Sequence, residues 1–149
     1  MKYKKPPNPH ARPWVDEMIN LNAVINELDR KYRPRAKAVQ QGRNRRVYII
    51  GTYVIKVPLN LNGVTDNDWE GSVSNGPKPS EWDVIYPKHK RLAWYRGIPI
   101  LFMEFVRPAL TKHITKRLGS VPKWVDRVDC GQVGFNKQGR LMAYDYGPR

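Results

Sequence analysis

The sequence predicts an α+β fold, and three observations carry that prediction. Apolar residues recur at three- and four-residue steps over residues 14–32, the period of an amphipathic helix. Two later segments, 47–57 and 92–106, hold β-branched and aromatic runs broken by a two-residue turn, the pattern of a hairpin. The full order is helix, hairpin, connector, hairpin, helix, hairpin, which groups the strands into antiparallel pairs rather than alternating them singly with helices.

The elements follow in order. Residues 1–13 carry Pro6, Pro7, Pro9 and Pro13 with Lys2, Lys4, Lys5 and Arg12, and form an expected basic, proline-rich arm because proline removes donors and disfavours helix before it. Residues 14–149 are expected to be one domain, since 149 residues suffice for a single core. Trp14, Met18, Leu21, Ile25, Leu28 and Tyr32 make the helix stripe, with Asp16 and Glu17 at its start, Arg30 and Lys31 near its end and Pro34 as its stop. Its expected use is core packing.

Residues 33–46 are expected to be a basic loop, or a loop flanking a short strand. Gly51-Thr52 turns the first hairpin and Arg96-Gly97 the second, whose second strand is nearly continuously apolar and so expected to be buried. Residues 58–80 are rich in Asn, Gly, Ser and Pro, and a short helix over 66–72 is only weakly supported. Residues 110–119 suit a basic helix ended by Gly119, and Asn136-Lys137-Gln138-Gly139 turns a third hairpin between 133–135 and 141–144.

Composition narrows the function classes. Charged residues are 27% and hydrophobic residues 40%, a balance typical of globular domains. Five Trp and eight Tyr argue against overall disorder. Cys130 is the single cysteine, so an internal disulfide framework is excluded and a reducing, cytoplasmic setting is expected. The N-terminus lacks the apolar stretch of a signal peptide, and no run approaches the roughly 18–20 apolar residues of a membrane span. His10, His89 and His113 are scattered and give no metal-ligand spacing.

The formal charge is +14, with 27 basic and 13 acidic residues. A field of that sign draws polyanions such as nucleic acid or acidic protein surfaces. The excess is densest around Arg33, Arg35, Lys37, Arg43, Arg45 and Arg46, which are the expected polyanion-binding set of a non-enzymatic basic protein. The bland counterpart is a solvated face that keeps the chain soluble.

Lys56 is the residue most suggestive of chemistry. It sits inside the apolar run Val54-Ile55-Lys56-Val57, where strand alternation leaves it turned to water or facing an anion. Glu70 follows and could orient the ammonium. Asp129 and Asp145, taken singly, are common turn or cap residues.

As an ordered set these residues resemble the protein kinase-like superfamily. Val54-Ile55-Lys56 looks like the strand with the phosphate-binding lysine, and Glu70 occupies the place of its paired glutamate. Phe102-Met103-Glu104-Phe105-Val106 is similar to the strand entering the adenine-binding hinge. Asp129-Cys130-Gly131-Gln132 resembles the catalytic loop, with Gln in place of the family's Asn, and Asp145-Tyr146-Gly147 resembles the metal-binding Asp-Phe-Gly. The resemblance implies a kinase-like N-lobe, meaning a twisted antiparallel sheet of hairpins with an N-terminal amphipathic helix, followed by a truncated C-terminal lobe.

It also implies ATP and magnesium as cofactors. Lys56, Glu70, Glu104 and Val106 would bind the nucleotide, Gln132 and Asp145 the metal, and Asp129 would be the base of any phosphotransferase activity. A degenerate kinase of this kind would act by binding a protein partner or substrate, with no membrane involvement. The short basic chain also looks like small kinase-like proteins of tailed phages, which would place it in an infected bacterial cytoplasm.

Overall fold

The computed structural model describes residues 20–128 and 132–144. The expected arm, the first turns of the expected helix, Asp129 and Asp145 lie outside the described residues. Three α-helices and two antiparallel sheets are found among the described residues, so the class is α+β. No described helix is long and apolar enough to cross a membrane. The described residues divide into two compact units, residues 20–72 with 90–103, and residues 73–89 with 104–144.

The first unit starts with α1 (Leu21–Tyr32), whose Leu21, Ile25, Leu28 and Tyr32 are buried, as the stripe predicts, together with Val24. The helix stops before Pro34, which sits in a single 3₁₀ turn, Arg33–Arg35. A five-stranded sheet follows in the order β1-β2-β3-β5-β4: β1 (Ala38–Gln41), β2 (Arg45–Ile50), β3 (Tyr53–Pro58), β4 (Lys90–Tyr95) and β5 (Ile98–Glu104). Both expected hairpins are present. The first turns on Gly51 at φ 58°, the second on Arg96 and Gly97 at φ 51° and 80°, and consecutive positive φ values match the right-handed twist of the strands.

In the first unit two elements differ from expectation. The basic loop contains a full edge strand, β1, whose mostly exposed Ala-Val-Gln-Gln shows no apolar alternation to betray it. The weakly supported helix is α2 (Leu61–Ser72), twelve residues long. Asn60 starts it, its Oδ1 accepting from Gly63 N–H at 2.9 Å. Asn60 Nδ2 also donates to Arg43 O and Asn44 Oδ1, tying the helix start to the β1–β2 turn.

Opposite faces of β2 and β3 meet different helices. Asp29 of α1 accepts from Tyr48 Oη at 2.7 Å and from Arg46 Nη1 at 3.3 Å, which sets α1 on the face of Arg46, Tyr48 and Ile50. The core there joins Leu28, Tyr32, Tyr48, Ile55 and Val57. Arg45, Val47 and Lys56 project from the other face, since Val47 is the cross-strand partner of Lys56 and Arg45 lies two residues before it.

The second unit is built on a three-stranded sheet, β6 (Arg107–Pro108), β7 (Val133–Phe135) and β8 (Leu141–Ala143), with α3 (Thr111–Leu118) ended by Gly119 at φ 86°. Ile114, Trp124, Val133, Phe135 and Leu141 form its core. Asn75 anchors the connector by exchanging two side-chain bonds with the backbone of Tyr86, 2.7 and 2.9 Å. The β7–β8 turn is held by buried Asn136, whose Oδ1 accepts from Gln138 N–H and Arg140 N–H at 3.0 and 2.9 Å and whose Nδ2 donates to Glu104 at 3.0 Å. Asn136→Ala orphans those groups and is expected to lower stability by about 1–3 kcal/mol in urea denaturation; a loss under about 0.5 kcal/mol would mean water replaces the amide.

Candidate functional site

Lys56 turns neither to water nor to open space. It is 5% exposed and its Nζ lies 2.6 Å from Glu70 Oε1. Glu70, on the last turn of α2, has no exposed surface. Its other oxygen, Oε2, accepts from Arg45 Nη1. One carboxylate is therefore shared by two cations from adjacent strands, diagonal neighbours on one face of the sheet.

Asn67, one helical turn before Glu70 and also fully buried, completes the cluster. Its Oδ1 accepts from Arg45 Nη1 at 3.1 Å, and its Nδ2 donates to Lys56 O and Pro99 O, both at 2.9 Å. Both polar ends of the amide are thus used, which is the condition for burying it at little cost. Lys90, the first residue of β4, donates from Nζ to Glu70 O at 2.8 Å, near the C-terminal end of α2 where carbonyls lack helical partners.

The electrostatics follow from burial and charge. Burial works to raise the Glu70 pKa, but the charges of Lys56 and then Arg45, with their hydrogen bonds, overcome it and hold the carboxyl below the usual range. Burial holds the Lys90 ammonium below its ordinary value; the attraction of Glu70 opposes this and the repulsion of Lys56 adds to it. A lysine oriented by a paired carboxylate can bind an anionic oxygen with less reorganisation than a free one.

The other expected residues fall elsewhere. Glu104 and Val106 belong to the second unit. Glu104 N–H is used by His89 O at 2.8 Å, and its carboxylate accepts from His89 N–H and Asn136. Val106 is buried at 5% exposure. Gln132 is also in the second unit, and its Oε1 is buried with no hydrogen-bond donor among the described residues, which leaves an oxygen acceptor of the kind a hard cation takes. Among the described residues no three His, Cys, Asp or Glu side chains converge on a metal position.

The expected polyanion set is dispersed by the structure. Arg45 is 8% exposed and is committed to the Glu70 carboxylate. Arg33 and Arg46 both pair with Asp29, at 3.0 and 3.3 Å, and Arg46 also donates to Gln41. Arg35 donates to Tyr53 Oη at 3.2 Å, and Arg35, Lys37 and Arg43 of the set stay exposed. Sequence reasoning missed Arg45, Asn67 and Lys90 as members of the cluster. Asn60 as a helix start was the available signal, because it places Asn67 and Glu70 three apart on one face of α2.

Fold and cluster together define an α+β protein of two units, the first of which encloses a Lys–Glu–Arg cluster between a sheet face and a helix. No family model, curated protein or solved structure matches the chain.

Proposed function

We propose that this chain is a kinase-like nucleotide-binding protein in which Lys56 receives the phosphates. The buried Lys56–Glu70 pair carries the reading. In protein kinases the phosphate-binding lysine stands on the third strand and pairs with a glutamate of the helix that packs on it. Here the lysine is on β3 and the glutamate on α2, the next element in the chain.

Each residue then has a task. Glu70 keeps Lys56 charged and aimed. Asn67 fixes the backbone carbonyl of Lys56 itself, so that side chain and main chain are positioned from the same helix. Arg45 occupies the second oxygen of Glu70 and stops the carboxylate from turning away. Within the second unit, the oxygen of Gln132 that has no donor among the described residues is of the kind magnesium takes. Bound magnesium would neutralise phosphate charge. Phosphoryl transfer would further require Asp129 as base, so the proposal is confined to binding, with a macromolecular partner as the target.

Thermal unfolding with ATP and magnesium tests it. Ligand at a hundred times its dissociation constant adds about 2.7 kcal/mol, an upward shift of several degrees for a chain of this size. Lys56→Met, which keeps the buried volume, is expected to abolish the shift measured from its own baseline. Absence of any shift with ATP or ADP overturns the nucleotide reading.

A further inference from the structure

Arg33, Arg45 and Arg46 of the basic run 33–46 pair with acids, and a second group of exposed cations lies in the second unit. In the second unit Arg107, Lys112, Lys116, Arg117, Lys137 and Arg140 are all exposed, and among the described residues none lies within ion-pair distance of an acid. The described acids of that unit are engaged elsewhere or set apart: Glu81 pairs with Lys123, Asp83 accepts from Ser80 N–H, Glu104 from Asn136 and His89, and Asp126 lies in the 3₁₀ segment Lys123–Arg127.

Arg107, Arg117, Lys137 and Arg140 gather around Phe135 and the β7–β8 turn, and Lys112 and Lys116 stand on the same helix as Arg117. Arg117, on the last turn of α3, stacks its guanidinium 4.8 Å from the Phe135 ring and lies so close to the β7–β8 turn that a side chain at Gly139 would meet Nη2 at 2.7 Å. That contact brings the helix against the turn bearing Lys137 and Arg140. Arg107 is the cross-strand partner of Phe135 and shares its side of the sheet. Lys112 and Lys116, one helical turn apart, project directly away from buried Ile114. Asn136 holds the turn in one conformation, so its cations are presented at fixed positions.

We propose that the surface of α3 and the β7–β8 turn binds the phosphodiester backbone of nucleic acid. Two features favour this over an acidic protein. Three arginines supply planar forks suited to phosphate oxygens, and three lysines supply point charges between them. The named residues include no exposed aromatic anchor of the kind that centres a protein interface: Phe135 is 9% exposed beneath Arg117, and the exposed apolar side chains beside α3, Leu110 and Leu118, are aliphatic. With no exposed aromatic among the named residues to stack on bases, the contact rests on phosphate charge and is expected to be sequence-independent. It does not depend on the nucleotide reading.

Anisotropy of a labelled mixed-sequence duplex of about 20 base pairs, titrated with the full chain between about 50 and 200 mM salt, tests it. Each neutralised phosphate contributes about 0.9 to the log–log slope on duplex DNA. The K112Q/K116Q/K137Q/R140Q variant is expected to flatten the slope by about 3–4 and weaken binding about tenfold or more at low salt. The charge-matched R33Q/R35Q/K37Q/R43Q variant retains most of the slope, and Lys56→Met leaves it intact. The K137Q/R140Q double variant, confined to the turn, flattens it by about 2 and serves where the quadruple does not fold. No binding by the unaltered chain, equal losses in the two quadruple variants, or equally tight binding of a glutamate-rich peptide of matched charge each overturns the proposal.

Discussion

Replacing Glu70 by alanine is expected to cost about 3–5 kcal/mol of folding stability, the scale seen when one member of a buried ionic group is removed and its partners stay buried. The value is high because Glu70 has no exposed surface and serves two cations at once, with Lys56 and Arg45 only 5% and 8% exposed. Urea unfolding at neutral pH measures it, and a loss below about 1 kcal/mol would show that the two cations find other partners. Glu70→Gln keeps the shape and removes the charge.

The quieter variant isolates the pH dependence. The native carboxyl of Glu70 is held below the usual range, so the unfolded chain binds its proton first as pH falls. Its contribution is complete above the unfolded value of about 4.3 and is lost as pH drops through the lower native value. The stability difference between the unaltered chain and Glu70→Gln should therefore be constant near neutrality and shrink in acid. Glu27 and Asp29, whose pKa values are also lowered, titrate in both proteins and cancel.

Gly63→Ala is expected to destabilise by about 3 kcal/mol or more, although helix propensity alone favours alanine by about 1 kcal/mol. The two effects have opposite signs, and distance decides between them. A Cβ at position 63 would lie 2.1 Å from Asn44 O and 3.0 Å from Pro58 Cα. Both are backbone atoms held in place, Asn44 O by Leu59 N–H at 2.8 Å, so neither gives way as a flexible side chain would. The helix that carries Asn67 and Glu70 would have to move off the β1–β2 turn. Stability by denaturation and the ATP-induced thermal shift should both fall; a neutral or stabilised variant would show that α2 slides without cost.

The same glycine explains why α2 was poorly legible. Gly63 and Gly71 lower local helix propensity, and each permits a close approach, to Asn44 and to Leu92, that only the assembled unit displays. Strand β1 was hidden for a different reason. An exposed edge strand has no buried face, so Ala38–Gln41 carries no alternation. The hairpins were legible because their turns demand particular residues and their strands are buried, and the helix stripe of α1 because one face meets the core.

Lys56 and Glu70 were legible as candidates, but their pairing was not. Strand alternation leaves a lysine two directions, and only the packing of α2 against one sheet face removes water from the second. Arg45 was misplaced by composition. Among five other basic residues it looked like part of a solvated or polyanion-binding run, whereas a residue 25 positions later makes it a buried member of the cluster. The sequence by itself determined the class, the hairpins and the net positive charge, because propensity, turn chemistry and charge are local quantities. Which cations are buried, which are neutralised by acids and which remain on the surface of α3 and the β7–β8 turn was decided only by tertiary structure, because desolvation and ion pairing depend on neighbours the chain brings together from far apart.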